Sequence, residues 1–445
     1  MFTGDHNNEG VSAMIKKITN VERLEAHPHQ FTKHEFIIPD NTRAEVENGI
    51  RELTSSFTLF DIRDKGKMIK LTSDEINTFK TKGSLPESKG NVAEHSGHLY
   101  RHAGPDDINN RPDECEQVTR YIPSFPSSIA ELVSKEMPEV VNTLAEDTDD
   151  PYTYIAITNS PIGYPFGQKN DTQYQHDFLE EKIEDRHPTA EAFQYGLLQA
   201  SGHSIDCPFP GRAFSPITPK LEMVGDNENS LLEELSSTQS FTMHIDGANY
   251  NHYSSLVCLA CGTEDKSSET LFAHTQAVLD QLDEMDTELG LFKNGMGRRD
   301  LLSLDIFGHG PGAYSTCMNI VKSPILFKNY DHTVRPRINF IDGRTRILTD
   351  KLSEFSIAYA EVREAIRSLK EASLNRKNIS LHKITAGQVV AFSGELLHAR
   401  GAFTANKKNP RYAVRLRGTS KRQCSLLEEQ RASGERHELA YVPGV

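Results

Sequence analysis

Two short segments, far apart in the chain, carry side chains of the kind that bind metal ions, and their separation strongly constrains the fold. His244 and Asp246 stand two residues apart, and His398 lies far downstream. Because side chains alternate along a β-strand, the first two would point to the same side of a strand. Two imidazoles and one carboxylate bind divalent iron and leave coordination positions open. The third ligand must then come from a distant strand, and the apolar, β-branched run at 387–392 predicts such a strand just before His398.

Basic residues follow the second segment at strand spacing. Arg411, Arg415 and Arg417 lie downstream of His398, and period-two alternation predicts that they share one strand face. A guanidinium group is a natural partner for a carboxylate. Thr270 could donate its hydroxyl to the same carboxylate. The sequence therefore predicts an anion-binding group of residues beside the metal.

With these residues the chain resembles the iron(II)/2-oxoglutarate oxygenases of the clavaminate synthase and taurine dioxygenase superfamily. The resemblance covers roughly residues 120–420 and is strongest to the branch that hydroxylates free amino acids such as arginine or asparagine. Asp342 and Asp350 fall where relatives place residues that read the substrate side chain, although an aspartate in a turn explains them equally well. The resemblance implies that the iron is bound by His244, Asp246 and His398. It implies that 2-oxoglutarate is contacted by Thr270 and Arg411, and the substrate by Arg415, Asp342 and Asp350.

The reaction that the resemblance implies uses Fe(II), with 2-oxoglutarate and O2 as cosubstrates. 2-Oxoglutarate would be decarboxylated to succinate while a free amino acid or similar small polar metabolite is hydroxylated. Two alternatives stay open: desaturation, cyclisation or epimerisation on the same scaffold, and a cupin-like metal protein that does not use 2-oxoglutarate. The pair of Arg411 and Thr270 favours the 2-oxoglutarate oxygenases over a cupin-like metal protein. Asp246, where this branch often has Glu, and Ala399, where Gly is usual, leave the substrate open.

Composition excludes several classes of partner. The formal net charge of −14 over 445 residues argues against binding to nucleic acid or to anionic membranes. No apolar run approaches the roughly 18 residues that span a bilayer, and the first residues lack the pattern of a signal peptide. We therefore expect a soluble, cytoplasmic protein with a small-molecule substrate, and the oligomeric state is left open.

The cysteines are expected to be structural. Six cysteines in a chain of this length do not form a disulfide framework. Cys258 and Cys261 form a CxxC pair inside an apolar run without a second pair. They are predicted to be core thiols of a buried strand rather than a metal site.

The expected architecture is a β-rich α+β fold. The resemblance implies a double-stranded β-helix, the jelly-roll or cupin-like core, with helices buttressing one outer face. An N-terminal extension or cap is expected at 1–115, an oxygenase domain at 116–420 and a polar C-terminal tail at 421–445. The charged, turn-rich stretch 164–187 predicts an insertion near the mouth of the site.

Local signals predict individual elements. A capping box at 128–131 opens a short helix that Pro138 ends. The other predicted elements are a strand at 152–158, a helix at 190–201 closed by Gly202, and an amphipathic helix at about 353–374 with Phe355, Ala358, Val362, Ile366 and Leu369 on its apolar face.

Overall fold

Two β-sheets packed face to face organise the chain in its computed structural model. The structure describes residues 14–24, 28–55, 60–82, 92–95, 98–103, 105–123, 125–147, 150–163, 188–205, 214–217, 241–246, 256–262, 269–309, 321–322, 324–327, 337–338, 345–401 and 413–421.

The strands of these segments are numbered in chain order. They are β1 Lys16–Arg23, β2 Gln30–Ile37, β3 Phe60–Lys70, β4 Val92–His95, β5 His98–His102, β6 Cys115–Pro123, β7 Thr153–Thr158, β8 His203–Ile205, β9 Phe214–Ile217, β10 Phe241–His244, β11 Leu256–Cys261, β12 Thr270–Ala273, β13 Phe307–His309, β14 Val321–Lys322, β15 Leu326–Phe327, β16 Arg337–Ile338, β17 Thr345–Ile347, β18 Ile379–His382, β19 Val389–Ser393, β20 Leu397–Arg400 and β21 Ala413–Ser420.

The helices are numbered in the same way. They are α1 Asp40–Thr54, α2 Ser73–Lys82, α3 Pro105–Asn110, α4 Ser127–Glu136, α5 Pro138–Asp147, α6 Pro188–Ala200, α7 Thr275–Leu289, α8 Arg298–Leu302, α9 Thr349–Leu352 and α10 Tyr359–Leu374, with 3₁₀ turns at Pro112–Glu114 and Arg376–Asn378. None of these helices combines the length and the apolar character that crossing a membrane requires.

The larger sheet has the strand order β1-β2-β7-β19-β11-β21-β8, and β9 also pairs with β21. Its neighbouring strands are antiparallel except for β2 and β7, which run parallel. The smaller sheet has the order β10-β20-β12-β18 and is antiparallel throughout. The predicted strands at 152–158 and 387–392 are thus found as β7 and β19.

Alternating side chains of both sheets fill the space between them. Phe272 of the smaller sheet and Phe392 of the larger sheet approach to 5.2 Å between ring centroids. Val257 and Val390 belong to the same buried cluster. This cluster joins the inner faces of the two sheets.

Helices cover the outer face of each sheet. On the larger sheet, Ile129 of α4 and Phe193 of α6 pack with Ile155 and Val389. On the smaller sheet, α7 and α10 pack through apolar residues onto the outward side chains of β12 and β20. The sequence predicted helices on one outer face, and the structure shows them on both.

One helix prediction is confirmed and two are wrong in part. Helix α6 is followed by Gly202 with a φ of +83°, as its helix-ending role requires. Helix α4 ends before Pro138 as predicted, but the capping box at 128–131 is not formed, because the helix begins at Ser127 and its N-cap, Pro126, has no side chain that can accept a hydrogen bond. The predicted helix at 353–374 begins only at Tyr359, because Ser356 adopts a φ of 54°, which an α-helix does not allow. Phe355, predicted on the buried face, is 43 % exposed.

The N-terminal hairpin of β1 and β2 is part of the larger sheet. Strand β2 pairs with β7 along its length, and Leu24 and Phe31 enter the core between the sheets. His29 reaches α7, where its Nε2 lies 2.8 Å from Oδ2 of Asp280. The domain boundaries at 115 and 420 stay a prediction, and the insertion at 164–187 lies outside the described residues.

Candidate metal centre

The two segments singled out by sequence meet on neighbouring strands of the smaller sheet. His244 is the last residue of β10, and Asp246 follows two residues later. Antiparallel pairing of β10 with β20 places His398 directly opposite His244. Their ring centroids lie 4.3 Å apart. Strand pairing therefore brings together residues that are distant in sequence.

His244, Asp246 and His398 form a compact cluster of donor atoms. One possible ligand atom from each residue lies within 4.8 Å of the others. Within the segments that the structure describes, this is the one group of three or more His, Cys, Asp or Glu residues that could hold a metal ion. All three side chains are largely buried.

The His398 ring is held in the orientation of a metal ligand. Its Nδ1–H donates to the carbonyl oxygen of Leu396 at 2.9 Å, which leaves Nε2 as the donor atom for a metal. Burial lowers the pKa of His398, although the nearby Asp246 acts in the opposite direction. The imidazole is therefore neutral at neutral pH, as a metal ligand must be.

Asp246 is ionised and has one oxygen available. Burial favours its protonated form, but the positive charges of Arg415 and Arg417 outweigh burial and hold its pKa below the usual range. Nη1 of Arg415 donates to Oδ1 at 2.7 Å. Oδ2 is buried and has no hydrogen-bond partner among the described residues. Two imidazoles and this carboxylate fit divalent iron.

Thr270 lies on the inner face of the smaller sheet, close to the metal cluster. Its neighbour Leu271 packs in the outer apolar layer, so Thr270 faces the space between the sheets. Strand pairing places Arg400 and His382 on either side of it. Since Arg400 follows His398 by two residues, the two residues share a strand face.

The sequence did not single out Arg400 or His382. Period-two alternation after His398 is the signal that could have identified Arg400. His382 lies beside Thr270 because of the register between β12 and β18. No local pattern in the sequence predicts that register.

Arg415 and Arg417 occupy the face of β21 that alternation predicts. Val414 and Leu416, between them, pack against the helices on the opposite face. Arg411 and Asp342 lie outside the described residues. Asp350 lies in α9, and its side chain is outside the described part of the structure.

The cysteines and His274 have structural roles. Cys258 and Cys261 lie in β11 and are buried, which confirms the prediction of core thiols. Burial raises the pKa of Cys258 to about 12, so its thiol is not ionised at neutral pH. His274 caps α7 by accepting a hydrogen bond from the backbone N–H of Ala277 at 3.4 Å, and its ring stacks on Tyr152.

Comparison with known proteins identifies the fold. No family model and no curated protein sequence matches the chain. A solved structure of asparagine oxygenase in complex with Fe(II), 2S,3S-3-hydroxyasparagine and succinate matches with a TM-score of 0.51 and 13 % sequence identity, covering 92 % of this chain and 99 % of that one. The non-heme iron oxygenase OrfP in complex with Fe and alpha-ketoglutaric acid matches with a TM-score of 0.52 and 14 % identity, over 92 % and 99 % of the two chains. At these identities the likeness establishes the fold, and the chain thus has the fold of the non-haem iron oxygenases.

Proposed function

We propose that this chain is an iron(II)- and 2-oxoglutarate-dependent dioxygenase that hydroxylates a free amino acid or a similar small polar metabolite. The observation that carries the proposal is the convergence of His244, Asp246 and His398 in a fold shared with iron oxygenases. An ionised carboxylate and two imidazoles on one side of the site leave the other side open for oxygen-donor ligands.

We also propose that eight strands form a double-stranded β-helix. Following the chain, β7, β11, β19 and β21 enter the larger sheet, while β10, β12, β18 and β20 enter the smaller one. The chain passes repeatedly from one sheet to the other, as winding around a barrel requires. The proposed oxygenase unit comprises residues 116–420, joined by the hairpin of β1 and β2 at one sheet edge, with 421–445 as a tail.

The residues of the chain bind and orient the reactants in this proposal. His244, Asp246 and His398 would hold iron, which supplies the redox chemistry of O2 activation when bound. Thr270 would donate its hydroxyl to the distal carboxylate of 2-oxoglutarate, together with Arg411. Phe392 packs against the His398 ring at 4.9 Å between centroids and makes one wall of this space apolar, so water is excluded from that side.

Arg415 is the proposed contact for the substrate carboxylate. Its Nη1 lies at Asp246, and its side chain is 25 % exposed, so the guanidinium group is close to the metal and still accessible. A carboxylate bound there would place the adjoining carbons of an amino acid near the open side of the metal. Asp342 and Asp350 are proposed to read the substrate side chain.

Solved structures with this fold support an amino acid as the substrate. The asparagine oxygenase structure contains 3-hydroxyasparagine and succinate, and an OrfP structure contains (3S)-hydroxy-L-Arg and succinate. Succinate and hydroxylated amino acids are the products that the proposed reaction would give.

The decisive experiment measures succinate formation from 2-oxoglutarate with iron(II) and ascorbate against a panel of free amino acids. Succinate formation stimulated by at least one amino acid, with a product heavier by one oxygen, is expected. Asp246→Ala protein is the control and should give neither. The proposal is rejected if no amino acid of the panel stimulates iron-dependent succinate formation.

A further inference from the structure

A continuous line of aromatic rings connects the proposed iron ligand His398 to a buried tyrosine. The ring of Phe392 lies 4.9 Å from that of His398, and Phe272 lies 5.2 Å from Phe392. Tyr154 then lies 4.9 Å from Phe272. All four rings are buried between the two sheets. The phenol is thus joined to the metal cluster through rings in van der Waals contact.

The phenol of Tyr154 also has a route along which its proton can leave. Tyr154 packs on Phe272, the cross-strand partner of Ser380, and on His382, two residues further along the same strand. The Ser380 hydroxyl thus lies beside the phenol, whose pKa it lowers in opposition to burial. The Ser380 hydroxyl donates to Oε2 of Glu22 at 2.5 Å, so its oxygen is available to accept from the phenol. Glu22 lies on the exposed strand β1. The Ser380 hydroxyl therefore lies between a buried phenol and a carboxylate at the surface, and its own proton is directed to the carboxylate.

These two features together suit the oxidation of a tyrosine. A phenol that loses an electron becomes strongly acidic and transfers its proton to a hydrogen-bonded base. Burial raises the pKa of Tyr154, so the residue holds its proton until an electron is removed. Phenylalanine rings are poor electron donors, and Phe272 and Phe392 therefore act only as a bridge.

We propose that Tyr154 is an electron donor for oxidants formed at the metal centre and that Ser380 passes its proton to Glu22. This inference rests on the iron site proposed above. In the step, Tyr154 loses one electron and its phenolic proton, the oxidant gains the electron, and the Glu22 carboxylate gains the proton. The resulting tyrosyl radical lies away from the metal ligands, so His244 and His398 are spared when an oxidant forms without substrate.

Hydrogen peroxide, added to the iron(II)-loaded protein without oxygen, tests the step independently of 2-oxoglutarate. Peroxide takes one electron from iron(II) and one from Tyr154 and leaves as two hydroxide ions. Rapid freezing and electron paramagnetic resonance then detect the tyrosyl radical. Tyr152 offers a matched control, since it lies two residues away but stacks on His274 at 3.5 Å and not on the line of rings.

The expected pattern separates the radical relay from a structural role. Tyr154→Phe should abolish the radical and increase oxidation of His244 and His398, measured by mass spectrometry of peptides, whereas Tyr152→Phe should change neither. Glu22→Gln, at an exposed position, should lower the radical yield, and Glu22→Asp should restore it.

Three outcomes overturn the inference. A radical that persists unchanged in Tyr154→Phe, or that never forms although iron is bound, removes Tyr154 as the donor. A protein that fails to bind iron leaves the relay without an oxidant and overturns it too. Succinate formation is measured with the same protein preparations. Succinate without a Tyr154 radical rejects this inference alone. A Tyr154 radical without succinate rejects the proposed function alone.

Discussion

At the scale of single residues, the charge of Asp246 determines what the site can bind. Arg415 and Arg417 hold the carboxylate ionised despite its burial. Arg415 engages Oδ1, while Oδ2 has no hydrogen-bond partner among the described residues and is the oxygen proposed to bind the metal. A buried carboxylate stabilised in this way is a stronger ligand than the neutral acid that burial alone would favour.

Removing this carboxylate should abolish metal binding. We expect Asp246→Ala to lose iron(II) affinity, measured by anaerobic titration calorimetry, since two imidazoles alone hold divalent iron weakly. The matched control replaces the buried thiols of Cys258 and Cys261 with alanine. The double cysteine variant should bind iron like the parent protein, and loss of its iron would contradict the proposed ligand set.

The two proposed arginine roles can be separated by affinity. Arg411→Ala removes a charge-assisted hydrogen bond of about 1.5–3 kcal/mol, so 2-oxoglutarate affinity should fall roughly ten- to hundredfold. Arg415→Ala should instead weaken the amino acid far more than 2-oxoglutarate. Michaelis constants for both compounds provide the measurement. Equal turnover of an amino acid and its carboxamide would argue against a substrate carboxylate at Arg415.

Residues of this site differ in how far sequence could predict them. His244 and Asp246 were recognisable because their spacing matches the period of a strand, and His398 because an apolar run precedes it. Arg400 and His382 were not recognised as neighbours of Thr270. Their proximity depends on the register between three strands, which long connections leave undetermined at the level of sequence.

At the scale of secondary-structure elements, close packing of α6 on α4 supports the larger sheet. Gly196 of α6 permits this approach, because a Cβ atom there would lie 2.6 Å from Cγ2 and 3.3 Å from the carbonyl oxygen of Ile129. Gly49 of α1 faces a softer neighbour: its Cβ would lie 2.7 Å from Cδ2 of Leu132, the far end of a flexible side chain.

These two glycines form a matched pair for stability measurements. Gly196→Ala should lower the free energy of unfolding by about 1–3 kcal/mol, because backbone and side chain of Ile129 must both shift. Gly49→Ala should have a smaller cost, since Leu132 can rotate away and alanine favours a helix by roughly 0.5–1 kcal/mol. Urea denaturation measures both. A greater loss for Gly49→Ala would contradict this account.

Element predictions succeeded where the signal is local. The proline that ends α4 and the glycine after α6 act within a few residues, and both were found as predicted. The capping box predicted at 128–131 was not found, because α4 begins one residue earlier, at Ser127, and its N-cap is Pro126, which makes no side-chain hydrogen bond. The helix at 353–374 was predicted too long because its apolar period continues through Phe355, while the backbone at Ser356 turns to a positive φ. Periodicity reports which residues are apolar and not whether the backbone stays helical between them.

At the scale of the whole molecule, a buried histidine makes stability depend on pH. His382 lies between the sheets, and its Nε2–H donates to Oε1 of Gln388 at 3.3 Å. The backbone N–H of Thr385 also donates to Oε1 at 3.4 Å, which identifies this atom as the oxygen. Burial, assisted by the charge of Lys33, lowers the pKa of His382 to about 4. The native protein therefore holds this ring neutral.

Acid should destabilise the fold through His382. The unfolded chain binds a proton at its ordinary pKa near 6.5 and the native protein only near 4, so stability should fall as pH decreases through this interval and level off below it. Over the whole interval the free energy of unfolding should fall by about 3 kcal/mol. The test measures the free energy of unfolding by urea between pH 7 and pH 4 for the parent protein and for His382→Gln. Subtracting one curve from the other removes the contributions of all other titrating groups. Parallel curves would exclude His382 as the cause.

The order of strands in the larger sheet has a consequence for synthesis. Strand β7 pairs with β19 and β2, and β11 lies between β19 and β21, so strands made early wait for partners near the other end of the chain. At about 5–20 residues per second, the ribosome needs roughly ten seconds or longer to make the intervening polypeptide. During that time the apolar faces of β7 and β11 are exposed to solvent or to chaperones. Slower synthesis prolongs this exposure, so soluble yield in a foreign host should fall as translation slows and rise with the supply of chaperones.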